Sequence, residues 1–286
     1  MTTPPADWLK PAASLIGTVT LEVAGYATPV AITVEALQRA YLPLLAMLNE
    51  QARSRRVLAG LVGVPGSGKS TYAAAMTLLA DRLLGEGVFA AVGIDGWHLP
   101  NAVLDARTTL DASGRPIPLR QRKGGPESFD VPALVDALTL LKADAGPVNL
   151  PAYDRRLHEP VPDRVLISPR TRIVLVEGNY LLGIAAGEPS RQGRQKPLAL
   201  QEGCPAETPT WNTIAAMLSP RFLLTCDPAN ARLRVIERHV RGGCSRQEAE
   251  RKYEHNDGLN AAIVLAKAHQ ADWIIELELP ALLENT

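Results

Sequence analysis

The sequence predicts an α/β domain: a mainly parallel sheet with helices on both faces, three layers in all. Two observations carry that expectation. From Arg56 onward, short apolar runs alternate with segments of helical period, and the runs at 57–62, 88–94 and 173–176 lack the polar alternation of a half-exposed strand. Directly after the first run comes Gly63-Val64-Pro65-Gly66-Ser67-Gly68-Lys69-Ser70, a glycine-rich turn opening a helix.

The remaining elements follow in chain order. Residues 18–34 alternate apolar and polar side chains around Ala24-Gly25, the pattern of a β-hairpin. Thr33 is placed to cap a helix in which Leu37, Ala40, Tyr41, Leu44, Leu45 and Leu48 recur at helical spacing. This layer, residues 1–54, is expected to pack on a main domain spanning 55–286. A helix follows the glycine-rich turn over 70–84, and Asp130 caps another that reaches Lys142, with Pro132 tolerated in its first turn. Strands at 222–225 and 273–277 complete the pattern. Residues 183–210, rich in Gly, Pro, Gln and Arg without apolar period, read as a surface loop insertion.

Bulk composition narrows the class. The 286 residues are 46% hydrophobic and 21% charged, enough apolar material for one large globular domain. Thirty basic and thirty acidic residues cancel, whereas a nucleic-acid binder usually shows a basic excess, so no nucleic-acid partner is expected. No window approaches the eighteen or so apolar residues of a membrane helix. The N-terminus carries Asp7 and a single Lys10 and resembles no targeting leader, so a cytoplasmic location is expected, away from the membrane. Cys204, Cys226 and Cys244 have neither the spacing of a metal site nor the even count of a disulfide framework. Nothing in the sequence specifies an oligomeric state.

The glycine-rich turn is a P-loop, G-x-x-x-x-G-K-S. Its glycines let backbone N–H groups close on a phosphate chain, and the helix N-terminus adds positive potential. Lys69 then reaches the β- and γ-phosphates of ATP, and the Ser70 hydroxyl can ligate Mg²⁺. Contacts to the nucleotide are expected from Gly63, Pro65, Gly66, Ser67, Gly68, Lys69, Ser70 and Thr71. The chain has no Asn-Lys-x-Asp string to read guanine and no Ser-Gly-Gly signature of a transporter subunit. Asp95 ends the second apolar strand of the core, the edge where α/β sheets hold ligands. A carboxylate there either accepts the proton of an attacking hydroxyl or caps the turn with Gly96.

Further motifs follow in order: Asp95-Gly96-Trp97-His98, then Arg122-Lys123-Gly124-Gly125-Pro126-Glu127-Ser128-Phe129-Asp130, then Pro151-Ala152-Tyr153-Asp154, then Glu177-Gly178-Asn179-Tyr180. With the P-loop, this series resembles the phosphoribulokinase/uridine kinase family over about residues 55–277. Within it, the strings DGWHLPNAVLD, YDRRLHEPV and VEGNYLL are most similar to a branch labelled nucleoside, pantothenate or fructose kinase-like. The resemblance implies an ATP-dependent kinase acting on a hydroxyl of a small metabolite. Asp95 would be the catalytic base, and Glu177, with Ser70, would orient Mg²⁺. Arg122, Lys123, Tyr153, Arg155, His158, His98 and Asn179 would line the acceptor. An Arg-bearing lid would close over the triphosphate, with Arg234 on the nucleotide and Arg238 stabilising the transferred group beside Lys69. Asn256 and Asn260 share a helix face near the cleft with no role that spacing defines.

Read from residue types alone, several positions keep a second meaning. Residues 120–123 also read as a solvated basic loop, the lid arginines as an exposed basic helix, and His98 and His158 as structural histidines. An ATPase or nucleotide-dependent regulator without a small-molecule acceptor is the alternative function. The 183–210 loop, Trp97 in place of a usual Phe, and the N-terminal hairpin depart from the family pattern.

Overall fold

The computed structural model describes residues 3–23, 25–111, 113–184 and 209–277. The expected 183–210 insertion, apart from its ends, and Cys204 lie outside the described residues. In chain order the strands are β1 (Gly17–Val23), β2 (Tyr26–Ile32), β3 (Val57–Val62), β4 (Phe89–Gly93), β5 (Thr108–Leu110), β6 (Pro116–Pro118), β7 (Val148–Asp154), β8 (Glu159–Ile167), β9 (Ile173–Gly178), β10 (Arg221–Thr225) and β11 (Trp273–Glu276). Five of them form one parallel sheet in the order β11-β10-β3-β9-β4. The others pair as antiparallel hairpins, β1 with β2, β5 with β6 and β7 with β8.

Both faces of the sheet are covered, which is why its strands read as unbroken apolar runs. Successive side chains on a strand point to opposite faces. Val57, Ala59 and Leu61 of β3 accordingly join one apolar cluster, while Leu58 and Val62 join another. In β9, Ile173 and Leu175 part from Val174 and Val176 in the same way. The first cluster is completed by Tyr72, Met76 and Leu79 of the Lys69–Leu84 helix and by the N-terminal layer. The second takes Leu134, Leu138 and Leu141 from the Val131–Ala143 helix and Ile263 and Val264 from the Gly258–Ala266 helix.

In the N-terminal layer, β1 and β2 turn Leu21, Val30 and Ile32 inward. Thr33 accepts the Ala36 N–H at 3.0 Å, a cap worth about 1 kcal/mol. The helix begins at Val34–Ala36, widens into a π turn at Leu37–Tyr41 and returns to α geometry at Leu42–Gln51. Pro43 has no N–H for the Arg39 carbonyl and would crowd it, and the extra residue of the π turn relieves that conflict. Tyr72 locks the layer to the core: its hydroxyl donates to the Ala40 carbonyl at 2.6 Å and its ring stacks on Tyr41 at 4.7 Å.

Where β3 begins, buried Arg56 ties three chain segments together. It donates to the carbonyls of Thr171 at 2.8 Å, Leu141 at 3.1 Å and Ser168 at 3.0 Å, and pairs with Asp144 at 2.6 Å. At the other end of β3 lies the P-loop. Because β9 and β10 flank β3 on opposite sides, the chain parts there into the crevice where open α/β sheets take ligands. Among the described residues no helix is long and apolar enough to cross a membrane.

Candidate active site

Residues 63–70 link the end of β3 to the first turn of the Lys69–Leu84 helix. Gly66 and Gly68 have φ of 80° and 92°, the left-handed region where only glycine is at ease. A side chain at Gly66 would also run into the Ala231 carbonyl of the Pro228–Arg241 helix, and one at Gly63 into the Ser67 hydroxyl. Inside this curl the Ser67 hydroxyl is buried with no protein partner. That orphaned group, the free N–H groups of the first helical turn and Lys69 form a cradle that fits a phosphate chain. Burial pushes the Lys69 ammonium below the usual lysine range, against the pull of Glu177 and Asp95. Pro65 is buried in the turn and Thr71 half-buried in the first helical turn. Arg234 reaches back from the Pro228–Arg241 helix to donate to the Gly66 carbonyl at 3.3 Å.

Ser70 donates its hydroxyl to Glu177 Oε1 at 2.9 Å, and β9 carries that carboxylate into the cleft. Glu177 lies within β9, which runs on to Gly178. Burial raises its pKa above the ordinary value and Lys69 opposes the shift. The absence of a side chain at Gly93 leaves room for Glu177, since a Cβ there would stand 3.0 Å from Oε1. Hydroxyl and carboxylate make a hard-oxygen pair suited to Mg²⁺. No group of three metal-ligating side chains exists among the described residues, so an ion here would complete its shell with phosphate oxygens and water.

Asp95 is the second residue of the 3₁₀ turn Ile94–Trp97 that leaves β4. Arg155, in the turn between β7 and β8, donates to Asp95 Oδ2 at 2.9 Å. Burial pushes the Asp95 carboxyl up, but Arg155, His98, Lys69 and Arg238 outweigh it and hold it below the usual carboxylate range. The group is therefore ionised at neutral pH; among the described residues Oδ1 accepts no hydrogen bond, and His98 Nδ1 stands 3.9 Å from it. His98 Nδ1 lies 2.9 Å from the Asp95 backbone carbonyl, which can only accept, so Nδ1 carries the proton. Burial lowers the His98 pKa, and the imidazole is neutral.

Beside Asp95, aromatic and cationic groups form a wall. His98 packs on Phe129 at 4.0 Å and on Tyr153 at 5.3 Å. Lys123 Nζ and the Arg155 guanidinium lie over the Tyr153 ring at 5.0 and 5.4 Å. Lys123 also donates to Asn101 Oδ1 at 2.6 Å and to the His158 carbonyl at 2.7 Å. Burial and then Arg120 push its pKa down to about 8, and burial pushes the Tyr153 phenol up to about 12. The His158 carbonyl accepts from Lys123 and Asn101, and the residue is exposed, with φ of 53° at the hairpin turn. Asn179, just beyond β9, has a buried side-chain oxygen without a partner.

Two predicted residues hold protein partners. Arg122 is buried and donates to Glu127 at 3.2 Å, Asn256 at 2.6 Å and Asn260 at 3.3 Å, so its guanidinium is occupied by the protein itself. Arg238 is half-exposed and donates to Asp257 at 3.4 Å, while its charge still reaches Asp95. Residue-type reasoning missed Asn101, which positions Lys123, and Asp257, which holds Arg238 and also His239 at 2.9 Å. Asn101 lies within the DGWHLPNAVLD string, which gives it no role by itself, and no motif marks Asp257.

No family model matches the chain. The Escherichia coli K12 protein YggC, which is uncharacterised, is 30% identical over 244 residues, covering 85% of this chain and 87% of its own. Pantothenate kinase of Bradyrhizobium diazoefficiens is 31% identical over 167 residues, 58% of this chain and 49% of that one. A solved structure from Silicibacter sp. TM1040, provisionally named a fructose transport system kinase, superposes with a TM-score of 0.61 at 27% identity, covering 81% of this chain and 98% of its own. Sequence, sheet order and P-loop geometry agree on one assignment, and the chain belongs to the phosphoribulokinase/uridine kinase family of P-loop kinases.

Proposed function

We propose that the protein transfers the γ-phosphoryl group of ATP to a hydroxyl of a small soluble metabolite, with Asp95 as the general base. The observation that supports this reading is the strand order β3-β9-β4, which sets the β4 end that leads into Asp95 beside Glu177 of β9, itself hydrogen-bonded to Ser70 of the P-loop at 2.9 Å. In the transfer, the acceptor oxygen bonds to the γ-phosphorus as the bond to the β,γ-bridging oxygen breaks. ADP departs with that electron pair, and the hydroxyl proton passes to Asp95. Arg155 holds Oδ2, so Oδ1 is the oxygen that takes the proton. The low basicity of this carboxylate suits late proton transfer, once the attacking oxygen has become acidic.

Lys69 and Arg238 would offset charge on the transferred group, and Arg234 would brace the loop that carries it. Ser70 and Glu177 would hold Mg²⁺, whose positive charge would favour the phosphate chain. Tyr153 and His98 supply an apolar wall, and Lys123 a cation, for an acceptor of mixed character. Arg122 would serve this wall by fixing the loop that presents Lys123. A kinase drawing on ATP would work in the cytoplasm.

The acceptor is sought among uridine, pantothenate and fructose, the compounds in the names of relatives and structural neighbours. ADP release is measured with MgATP and each compound. Release that rises at least tenfold with one of them supports transfer, while hydrolysis at one rate throughout favours an ATPase or regulator.

A further inference from the structure

Asn256 and Asp257 are neighbours in a π turn, Tyr253–Asp257, that joins the Arg246–Lys252 and Gly258–Ala266 helices. The turn closes with the Gly258 N–H on the Tyr253 carbonyl, five residues back. Consecutive helical side chains point about 100° apart, so two neighbours can serve two different elements. Asn256 looks toward the acceptor wall. Its Oδ1 accepts from Arg122 Nη1 at 2.6 Å, and its Nδ2 donates to the Lys123 carbonyl at 2.7 Å. Asn260, one turn on, accepts from Arg122 Nη2 at 3.3 Å. Asp257 looks the other way, to Arg238 and His239 of the Pro228–Arg241 helix, which also supplies Arg234 to the P-loop.

We infer that Asn256 and Asp257 are positioning residues that fix the acceptor wall and the phosphate-side arginine in register, each acting through its neighbour and neither touching substrate. The inference rests on the kinase reading. Asn256 uses its acceptor and its donor on adjacent residues of one loop, a two-point hold that sets both the position and the tilt of the Lys123 backbone. The same guanidinium that Asn256 grips is closed from the far side by Glu127. Arg122 is thus a rivet between the turn and the loop, and Lys123 inherits its place. Asp257 is itself buried, so its carboxylate has little freedom to release Arg238. Displacement of Arg238 by a bound triphosphate would pull on Asp257, and the next residue back would carry the shift to Lys123.

The test is hydrogen exchange with and without Mg²⁺ and the non-hydrolysable analogue AMP-PNP. In the wild type the analogue should slow exchange at residues 63–70 and also at 119–128, which it does not touch. In Asn256→Ala the first effect should persist, and the second should fall to near the unliganded rate. Asn256→Asp keeps an acceptor for Arg122 but removes the donor to Lys123, and should show the same loss in a chain that stays folded. Asp257→Asn should weaken AMP-PNP binding roughly tenfold by loosening Arg238. Protection at 63–70 without protection at 119–128 in the wild type, or undiminished transmission in both Asn256 variants, would overturn the inference while leaving the kinase reading standing. No protection at 63–70 in the wild type would remove the kinase reading, and this proposal with it.

Discussion

Arg155 holds one oxygen of Asp95 at 2.9 Å from a hairpin lying outside the main sheet. The base of the proposed reaction is therefore set jointly by β4, which presents it, and by the β7–β8 turn, which keeps it charged. Asp95→Asn removes the proton acceptor but keeps the shape. Phosphoryl transfer should fall by about two orders of magnitude or more, while nucleotide binding, followed by fluorescence of a labelled ATP analogue, stays near normal. Near-normal turnover would take Asp95 out of the mechanism.

The same pair sets a pH dependence. Arg155 is the leading influence that lowers the Asp95 pKa, and burial works the other way. In Arg155→Met the carboxyl should protonate at higher pH, and the acid limb of the kcat/KM profile should move upward from its wild-type position. A limb that does not move would show that another group governs it.

Ser70 and Glu177 present one hydroxyl and one carboxylate to the phosphate side of the cleft. Glu177→Gln should raise the Mg²⁺ concentration for half-maximal activity about tenfold or more, with a smaller effect on ATP affinity at saturating metal. A metal titration superimposable on the wild type would separate Glu177 from the ion.

Lys123 should be unusually reactive. With a pKa of about 8 it is half neutral at pH 8, whereas an ordinary lysine near 10.4 is neutral in only a few molecules per thousand. Limited acetylation at pH 8, read by peptide mass spectrometry, should modify Lys123 well ahead of exposed Lys10 or Lys142. Its depressed pKa also means that the protonated amine is disfavoured in the folded state. Its contribution to stability therefore improves as pH rises from about 8 toward the ordinary lysine range. Labelling in proportion to exposure alone would count against this.

Arg56 offers a stability test away from the cleft. Arg56→Met orphans three carbonyls and the partner oxygen of Asp144, and should cost roughly 3 kcal/mol in urea unfolding. The folded fraction should keep its ATP affinity.

Much of the nucleotide half of the site is legible in the sequence because it is local. Residues 63–70 form one string, and Asp95 and Glu177 each close or end an apolar run whose two-sided burial reads directly from composition. The acceptor half is assembled from distant segments, and that is where reading by residue type fails. Lys123 is placed by Asn101 and by the backbone carbonyl of His158, a contact that the identity of the His158 side chain does not announce. Arg122 and Asn256 stand 134 residues apart, and nothing in either neighbourhood foretells their bond. Nor does the apolar pattern announce the β7–β8 hairpin. Pro151, Pro160 and Pro162 break its runs, yet a two-stranded ribbon with free edges tolerates prolines that a central strand would not.

The division of β3 between two cores has a consequence for how such an enzyme can change its diet. Leu58 and Val62 settle against the layer beneath the acceptor wall, while Val57, Ala59 and Leu61 answer to the helix behind the phosphates. Repacking on the first side need not disturb the second. New acceptors can be accommodated by remodelling one half of the molecule while the half that grips the triphosphate is left alone.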